Sequence, residues 1–347
     1  MDEKRAASTV SRTEETAGST PPTRVRGSLI YNPTAGRKGH DSEADISAIK
    51  AVFAARGGDL TPRETKERGD ATRLAREAAA RGEDVAIAAG GDGTVNEVVQ
   101  GLAGSGTALG VIPLGTVNVW AREVKLMGEP VDAAKALVEG HYRRVDLGRI
   151  NDRYFLLMAG FGFDGAVTGI VNPRLKRALG PLSYVVTATR LALGYVGPRV
   201  EFEIDGERVT HHIMMIVVGN TRLYGGVVAF AAGAVVDDGL LDVVLLPGRR
   251  LWQGVPSLLA VLARRYTSGG RPLYYRARHV RMRIVEGALP VQVDGDYIEA
   301  DPEVDIQVVP AGLRVIVPPG LHSPLFSCPH EGAVALAGAA QVESDTF

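Results

Sequence analysis

The sequence predicts a two-domain α/β chain, a parallel sheet covered by helices followed by an antiparallel β domain. Three observations carry this. Residues 27–140 alternate short apolar runs with amphipathic helical ones, the pattern of a parallel sheet with crossover helices. After about residue 144 the texture changes to successive strand-like runs separated by turn residues. The length of 347 residues, 45% hydrophobic and 23% charged, suits two ordinary globular domains.

Residues 1–25 are rich in Ser, Thr, Glu, Arg and Pro without hydrophobic periodicity, and read as a disordered tail. "SLIYN" (28–32) is a short apolar strand. "EADISAIKAVFAARGG" (43–58) sets Ile46, Ile49, Val52 and Phe53 on one helical face and ends in glycines. "DATRLAREAAARG" (70–82) begins with an Asp cap and also ends in Gly. "VAIAA" (85–89) is a buried strand, and Thr94 with Glu97 has the spacing of a capping box for a helix carrying Val95, Val98, Val99 and Leu102. "ALGVIP" (108–113) is a further strand, and "PVDAAKALVEG" (130–140) is a helix with Pro in its first turn.

In the second half, "RVEFEIDGERVTHHIMMIVVGN" (199–220) reads as a hairpin turning at Asp205-Gly206. Strands follow at 240–247, 279–286, 289–298, 303–310 and 313–319, with one helix at 250–266 and another at 174–195. Together they predict an antiparallel sandwich or curled sheet over 145–304, and residues 319–347 resemble the first tail in composition.

Composition excludes several classes. A net charge of −1 argues against a general nucleic-acid binder. Cys328 is the only cysteine, so no intrachain disulfide forms, which fits a reducing compartment. The N-terminus carries no apolar signal core, and no run of about 18 apolar residues exists to span a bilayer. The expectation is a cytoplasmic protein that visits the inner face of the membrane.

Three loops stand after strands of the first domain: "NPTAG" (32–36), "GGDGT" (90–94) and "PLGTVN" (113–118). In an open parallel sheet such loops share the C-terminal edge, where ligands bind. Their Gly, Thr and Asn residues offer free N–H groups and small polar side chains suited to phosphate and ribose oxygens. "NPTAG" alone is equally well a tight turn. Asn96 stands where a dinucleotide fingerprint needs its third Gly, and Thr94 follows Gly93 where a P-loop needs Lys. The acid of "GGDGT" is the informative residue. A carboxylate beside phosphates is tolerable when Mg²⁺ lies between them, so Asp92 is a candidate magnesium organiser.

"GGDGTVNEVVQGL", with "NPTAG" before it and "PLGTVNVWAR" after it, resembles the catalytic domain of diacylglycerol kinases, a group including bacterial lipid kinases and sphingosine kinases in a superfamily with NAD kinases. The resemblance continues through "GFGFDGAV" (160–167), "DDGLLDVVLL" (237–246) and "VQVDGDYI" (291–298), and covers roughly residues 26–318. It implies a Rossmann-like ATP domain at 26–144, joined by a returning segment near 305–318, and a lipid-binding β-sandwich at 145–304. It further implies an ATP- and Mg²⁺-dependent kinase of a lipid hydroxyl, such as that of diacylglycerol or a sphingoid base.

Carried over by position, Asn32, Pro33, Thr34, Ala35, Gly36, Thr65, Gly91, Asp92, Gly93, Thr94, Val95, Asn96, Glu97 and Thr116 would hold ATP, with Asn118 in the same loop. Asp238, with the carbonyls of Val235 and Leu240, would hold a structural Mg²⁺; the same Asp-Asp-Gly run is also an ordinary β-turn. Asp164 would read the lipid head group, or serve as a polar turn residue. The family's base is usually the Glu of Asp-Gly-Glu. Here Asp294-Gly295-Asp296 puts an Asp one methylene shorter in that place, with Asp294 to orient it. A misplacement of about 1 Å can cost on the order of a hundredfold in rate. A hairpin turn with two solvated acids is the plain alternative.

Between Arg249 and Arg283 stand nine Arg and no Asp or Glu, alongside Trp252, Tyr266, Tyr274 and Tyr275. This segment, and Arg174, Lys176 and Arg177 with their apolar neighbours, suit an anionic membrane surface, or are solvated stems over a core. A kinase of a soluble hydroxyl compound and a non-catalytic nucleotide- or lipid-binding protein are the rival functions. A homodimer is among the assemblies left open.

Overall fold

A computed structural model describes residues 25–33, 42–170, 191, 194–226, 228–263, 272–299 and 301–327. Thr34, Ala35 and Gly36, the residues expected in a helix at 174–190, and residues 1–24 and 328–347 lie outside them.

The first domain alternates β1 (Arg26–Tyr31), α1 (Ser42–Ala54), β2 (Asp59–Glu64), α2 (Asp70–Ala80), β3 (Val85–Gly90), α3 (Asp92–Leu102), β4 (Ala108–Pro113), α4 (Val119–Glu123) and α5 (Pro130–Val138). Its strands are parallel in the order β2-β1-β3-β4. β3 and β4 are buried along their whole length because helices cover both faces. Ile49 and Phe53 of α1 point into that core as their spacing predicted. β2 gives little signal in the sequence: "DLTPRE" buries only Leu60 and contains Pro62, tolerable because β2 is an edge strand.

The second domain comprises β5 (His141–Ile150), β6 (Arg153–Phe155), β7 (Met158–Gly162), α6 (Phe163–Ile170), β8 (Arg199–Ile204), β9 (Glu207–Gly219), β10 (Leu223–Tyr224), β11 (Val228–Ala229), β12 (Leu241–Pro247), α7 (Leu251–Leu262), β13 (Leu273–Ala277), β14 (His279–Glu286), β15 (Val291–Val293), β16 (Asp296–Ile298) and β17 (Glu303–Val317). β9 makes the sandwich. Its first half pairs with β8 and its second half with β7 and β12, so one strand passes between the two layers. Between the layers, Val200 and Phe202 of β8 and Met282 of β14 join Phe161 of β7 and Val243 of β12 in one core.

β17 couples the domains. Residues 303–307 lie antiparallel to β14, while Arg314 and Val315 lie parallel to β4. The pairing with β5 shifts register between Val309 and Leu313, where Ala311 has φ 52°. Asp146 holds this bulge: its carboxylate accepts the N–H of Ala311 at 2.7 Å and of Gly239 at 2.6 Å.

Two expectations are corrected here. The C-terminal tail begins later than residue 319, because Leu321 and Leu325 pack into the first core and Ser327 N–H bonds Asp237. The capping box does not form: α3 starts at Asp92, with Gly91 extended before it, and Glu97 instead accepts the N–H of Ala71 in the first turn of α2.

Candidate active site

The ends of the parallel strands bring the first-domain loops together. Asn32 N–H bonds the carbonyl of Ala89, and Thr65 bonds the carbonyl of Tyr31 through both N–H and hydroxyl. The loops after β3 and β4 touch backbone to backbone, since a Cβ on Gly115 would lie 2.5 Å from Gly91 Cα. Asn118, at φ 53°, closes its own turn by side-chain hydrogen bonds to both backbone groups of Gly115. Asn32 and Thr65 are half-buried, and Gly93 and Thr116 exposed, along this edge. Val95 turns into the core and Asn96 is buried against the second domain, so neither side chain faces that edge.

The three glycines around Asp92 have different causes. A Cβ on Gly90 would meet the Thr94 hydroxyl at 2.5 Å, and one on Gly91 would make ordinary contact with Gly115 Cα at 3.4 Å. A Cβ on Gly93 would meet nothing within 4 Å, although Gly93 sits in the first turn of a helix. Packing explains the first, and neither Gly91 nor Gly93 is demanded by a clash at its own Cβ. Asp92 itself reaches across to the neighbouring loop: its two oxygens accept the N–H of Val119 at 2.7 Å and of Asn118 at 3.0 Å. Each oxygen retains a second acceptor position.

In the second domain, β15 and β16 form a hairpin whose turn residues, Asp294 and Gly295, have φ 47° and 86°. Asp294 is not a solvated turn acid, and it does not touch Asp296. It is buried, and its carboxylate accepts the N–H groups of Leu156, Leu157 and Met158 at 2.9–3.0 Å. Burial pushes its carboxyl up to about 6, against those three donors. These bonds pin the turn that carries Asp296.

Asp296 lies at the junction of the two domains. Its Oδ2 receives Arg153 at 2.7 Å from β6 and Arg68 at 3.1 Å from the loop before α2. Both guanidiniums reach the same oxygen, Oδ2. Asp164 lies behind the hairpin, wholly buried, accepting from the Tyr224 hydroxyl and from Gln292 Nε2 at 2.9 Å. Burial raises its carboxyl, opposed by those two donors. Gln292 Oε1 in turn accepts Gly295 N–H at 2.7 Å, so one amide ties Asp164 to the turn that presents Asp296.

Several links hold the two sides in register. Gln100 of α3 exchanges two hydrogen bonds with the backbone of Tyr154, at 2.7 and 3.0 Å. Glu123 at the end of α4 accepts the N–H groups of Arg222 and Leu223 at 2.7 and 2.5 Å. Burial raises this carboxyl too, against the same N–H donors. Arg68, Arg153, Gln292 and Glu123 had no local signal in the sequence beyond a polar residue inside the apolar "VQV".

Asp238, the candidate Mg²⁺ ligand, is engaged by donors of the protein itself. Arg276 pairs with one oxygen and Leu240 N–H bonds the other at 3.0 Å. Among the described residues no group of three or more His, Cys, Asp or Glu is placed to hold a metal.

Comparison with known proteins agrees with this architecture. The diacylglycerol kinase catalytic domain matches residues 26–150, and the YegS C-terminal NAD kinase β-sandwich-like domain matches residues 158–317. The chain is 34% identical over 275 residues to the diacylglycerol kinase of Bacillus subtilis, covering 78% of this chain and 90% of that one. It is 31% identical over 277 residues to the diacylglycerol kinase of Staphylococcus aureus, covering 79% and 87%. The crystal structure of a diacylglycerol kinase from Bacillus anthracis superposes with a TM-score of 0.71 at 26% identity, covering 86% of this chain and 98% of that one.

Proposed function

Because the chain belongs to the diacylglycerol kinase family of lipid kinases, we propose that it transfers the γ-phosphoryl group of ATP to a membrane-lipid hydroxyl in the cleft between its domains. The observation that carries the nucleotide half is Gly93. A helix position with room for a side chain and none present is a cradle for something else. The first turn of α3 points N–H groups and the positive end of its dipole there, which suits a phosphate. Mg²⁺ enters with ATP as part of the substrate, where it neutralises phosphate charge. Asp92, anchored by α4, is the carboxylate nearest that turn.

The acceptor half rests on Asp296. As the acceptor oxygen bonds to Pγ, the bond from Pγ to the bridging oxygen breaks and ADP leaves. The hydroxyl proton passes to Asp296 Oδ1. Arg153 and Arg68 hold the other oxygen and add positive charge beside the transferring group. An exposed pair such as Arg68 with Asp296 is worth about 1 kcal/mol or less, so the Arg68 end can open to admit substrate.

Gly93→Ala tests the nucleotide half. Alanine is the better helix former by up to about 1 kcal/mol, so thermal stability should hold or rise. Affinity for Mg·ATP, read by calorimetry, should fall about tenfold or more. An alanine variant binding ATP as tightly as the parent would remove this turn from the nucleotide site.

A further inference from the structure

We propose that the outer face of α7 is the surface by which this protein docks on an anionic lipid bilayer; this rests on the lipid-kinase reading and names where that enzyme meets its substrate's phase. Trp252, Val255, Leu259 and Leu262 recur at spacings of three, four and three, which aligns them as one stripe. They are 65%, 42%, 60% and 53% exposed, and they make up four of the nine large exposed hydrophobic residues among the described ones. Val196, a fifth, is bridged to Arg250 at the start of the helix.

The opposite face of α7 is firmly seated. Gly254, Ser257 and Val261 are buried, and a Cβ on Gly254 would lie 2.2 Å from Met214 Sδ. A helix apolar on both sides belongs in a core or at a lipid phase, and among the described residues only one side of α7 has a core. The charges fit a bilayer better than a second copy of the chain. α7 contains no acid, Arg249 and Arg250 precede it, and the Arg250 guanidinium lies 5.4 Å from the centre of the Trp252 ring. Tryptophan with arginine at one level is the composition of the headgroup boundary.

The stripe also leads to the acceptor side of the cleft. Val196 follows Tyr195, whose ring packs edge-on against Phe163 at 5.3 Å, and Phe163 precedes Asp164. A bilayer under α7 is thus continuous with the segment beside the candidate head-group residue. The arginines of β13 and β14, which the sequence offers as the basic surface, are engaged within the protein: Arg276 with Asp238, Arg281 with Asp305 and Arg283 with Glu201. The contact is chiefly apolar, and its salt dependence is shallow.

The chain supplies its own probe. It has two tryptophans, Trp120 at 2% exposure and Trp252 at 65%, so a change in emission on adding vesicles reports α7. The full-length protein is titrated with phosphatidylcholine vesicles containing phosphatidylglycerol, with and without brominated acyl chains. A blue shift with bromine quenching is expected. Leu259→Asp and Leu262→Asp should each weaken vesicle partition about tenfold or more, with an unchanged circular dichroism spectrum. Turnover on a dispersed short-chain diacylglycerol should be as in the parent. Vesicle binding with unmoved Trp252 emission, or variants that bind as the parent does, would overturn the docking surface. So would a stripe covered by a second copy, seen as dimers without lipid that Leu259→Asp dissociates. Docking through Trp252 by a protein that phosphorylates no lipid would sustain this surface and sink the kinase reading.

Discussion

Asp296→Asn is expected to lower kcat by about two to four orders of magnitude, the usual reach of a general base, while ATP affinity changes by less than about twofold. The asymmetry follows from the geometry. Asp296 sits on β16 of the second domain, where the proposed reaction has it meet the acceptor rather than the nucleotide base. Arg153 and Arg68 share its Oδ2, and an amide can replace that acceptor in part but cannot take a proton at the other position. Asp296→Glu keeps the base and lengthens its reach, and should retain activity or raise it. Steady-state kinetics on a lipid substrate, with ATP binding followed separately, distinguishes these outcomes. A solvated turn acid would matter by under about 0.5 kcal/mol. An Asp296→Asn enzyme as fast as the parent would place the base elsewhere.

Asp92→Asn is expected to reduce turnover by at least about a hundredfold in a protein that stays folded. Two causes act together. The carboxylate that the proposed reaction sets beside the Mg²⁺-bound phosphates loses its charge. The Asn amide also places a donor where Asp92 now accepts the N–H of Asn118 or Val119, so the start of α4 loosens. Losing a charge-assisted hydrogen bond of this kind costs about 1–3 kcal/mol, which a domain of this size survives. Turnover measured across a Mg²⁺ titration, beside a thermal melt, reads the two causes separately. A variant whose melt is lowered but whose saturated turnover is normal would make Asp92 an anchor for α4 and nothing more.

The architecture was legible because burial writes itself into sequence. β3 and β4 are covered on both faces and read as unbroken apolar runs, and the hairpin at Asp205-Gly206 adopts the left-handed turn its residues favour. β2 was not legible, since an edge strand with a proline buries too little to show a period. At the site, the Gly-Gly-Asp-Gly run announced itself, but the reason for each glycine did not. At Gly90 it is the Thr94 side chain, and the closest approach in the loop belongs to Gly115, whose Cβ would meet Gly91 more than twenty residues away. The partners of Asp294 and Asp296 were illegible for the same reason. Leu156, Leu157 and Met158 act through backbone N–H groups that any residue would supply, and Arg68 meets Asp296 only because the domains close on one another. Within the basic stretch between Arg249 and Arg283, the acids that pair with Arg276, Arg281 and Arg283 come from the turn before β12, β17 and β8, and that pairing was equally out of sight in the sequence.

The central claim is phosphoryl transfer from ATP to a lipid hydroxyl in this cleft. Its most direct test is incubation of the full-length protein with γ-labelled ATP, Mg²⁺ and a membrane-lipid extract, with Asp296→Asn run in parallel and the labelled species identified by mass. The expected result is one lipid class gaining a single phosphomonoester, matched by ADP release and absent from the variant. Label appearing only on a water-soluble acceptor, or ATP bound without any labelled product, would contradict it.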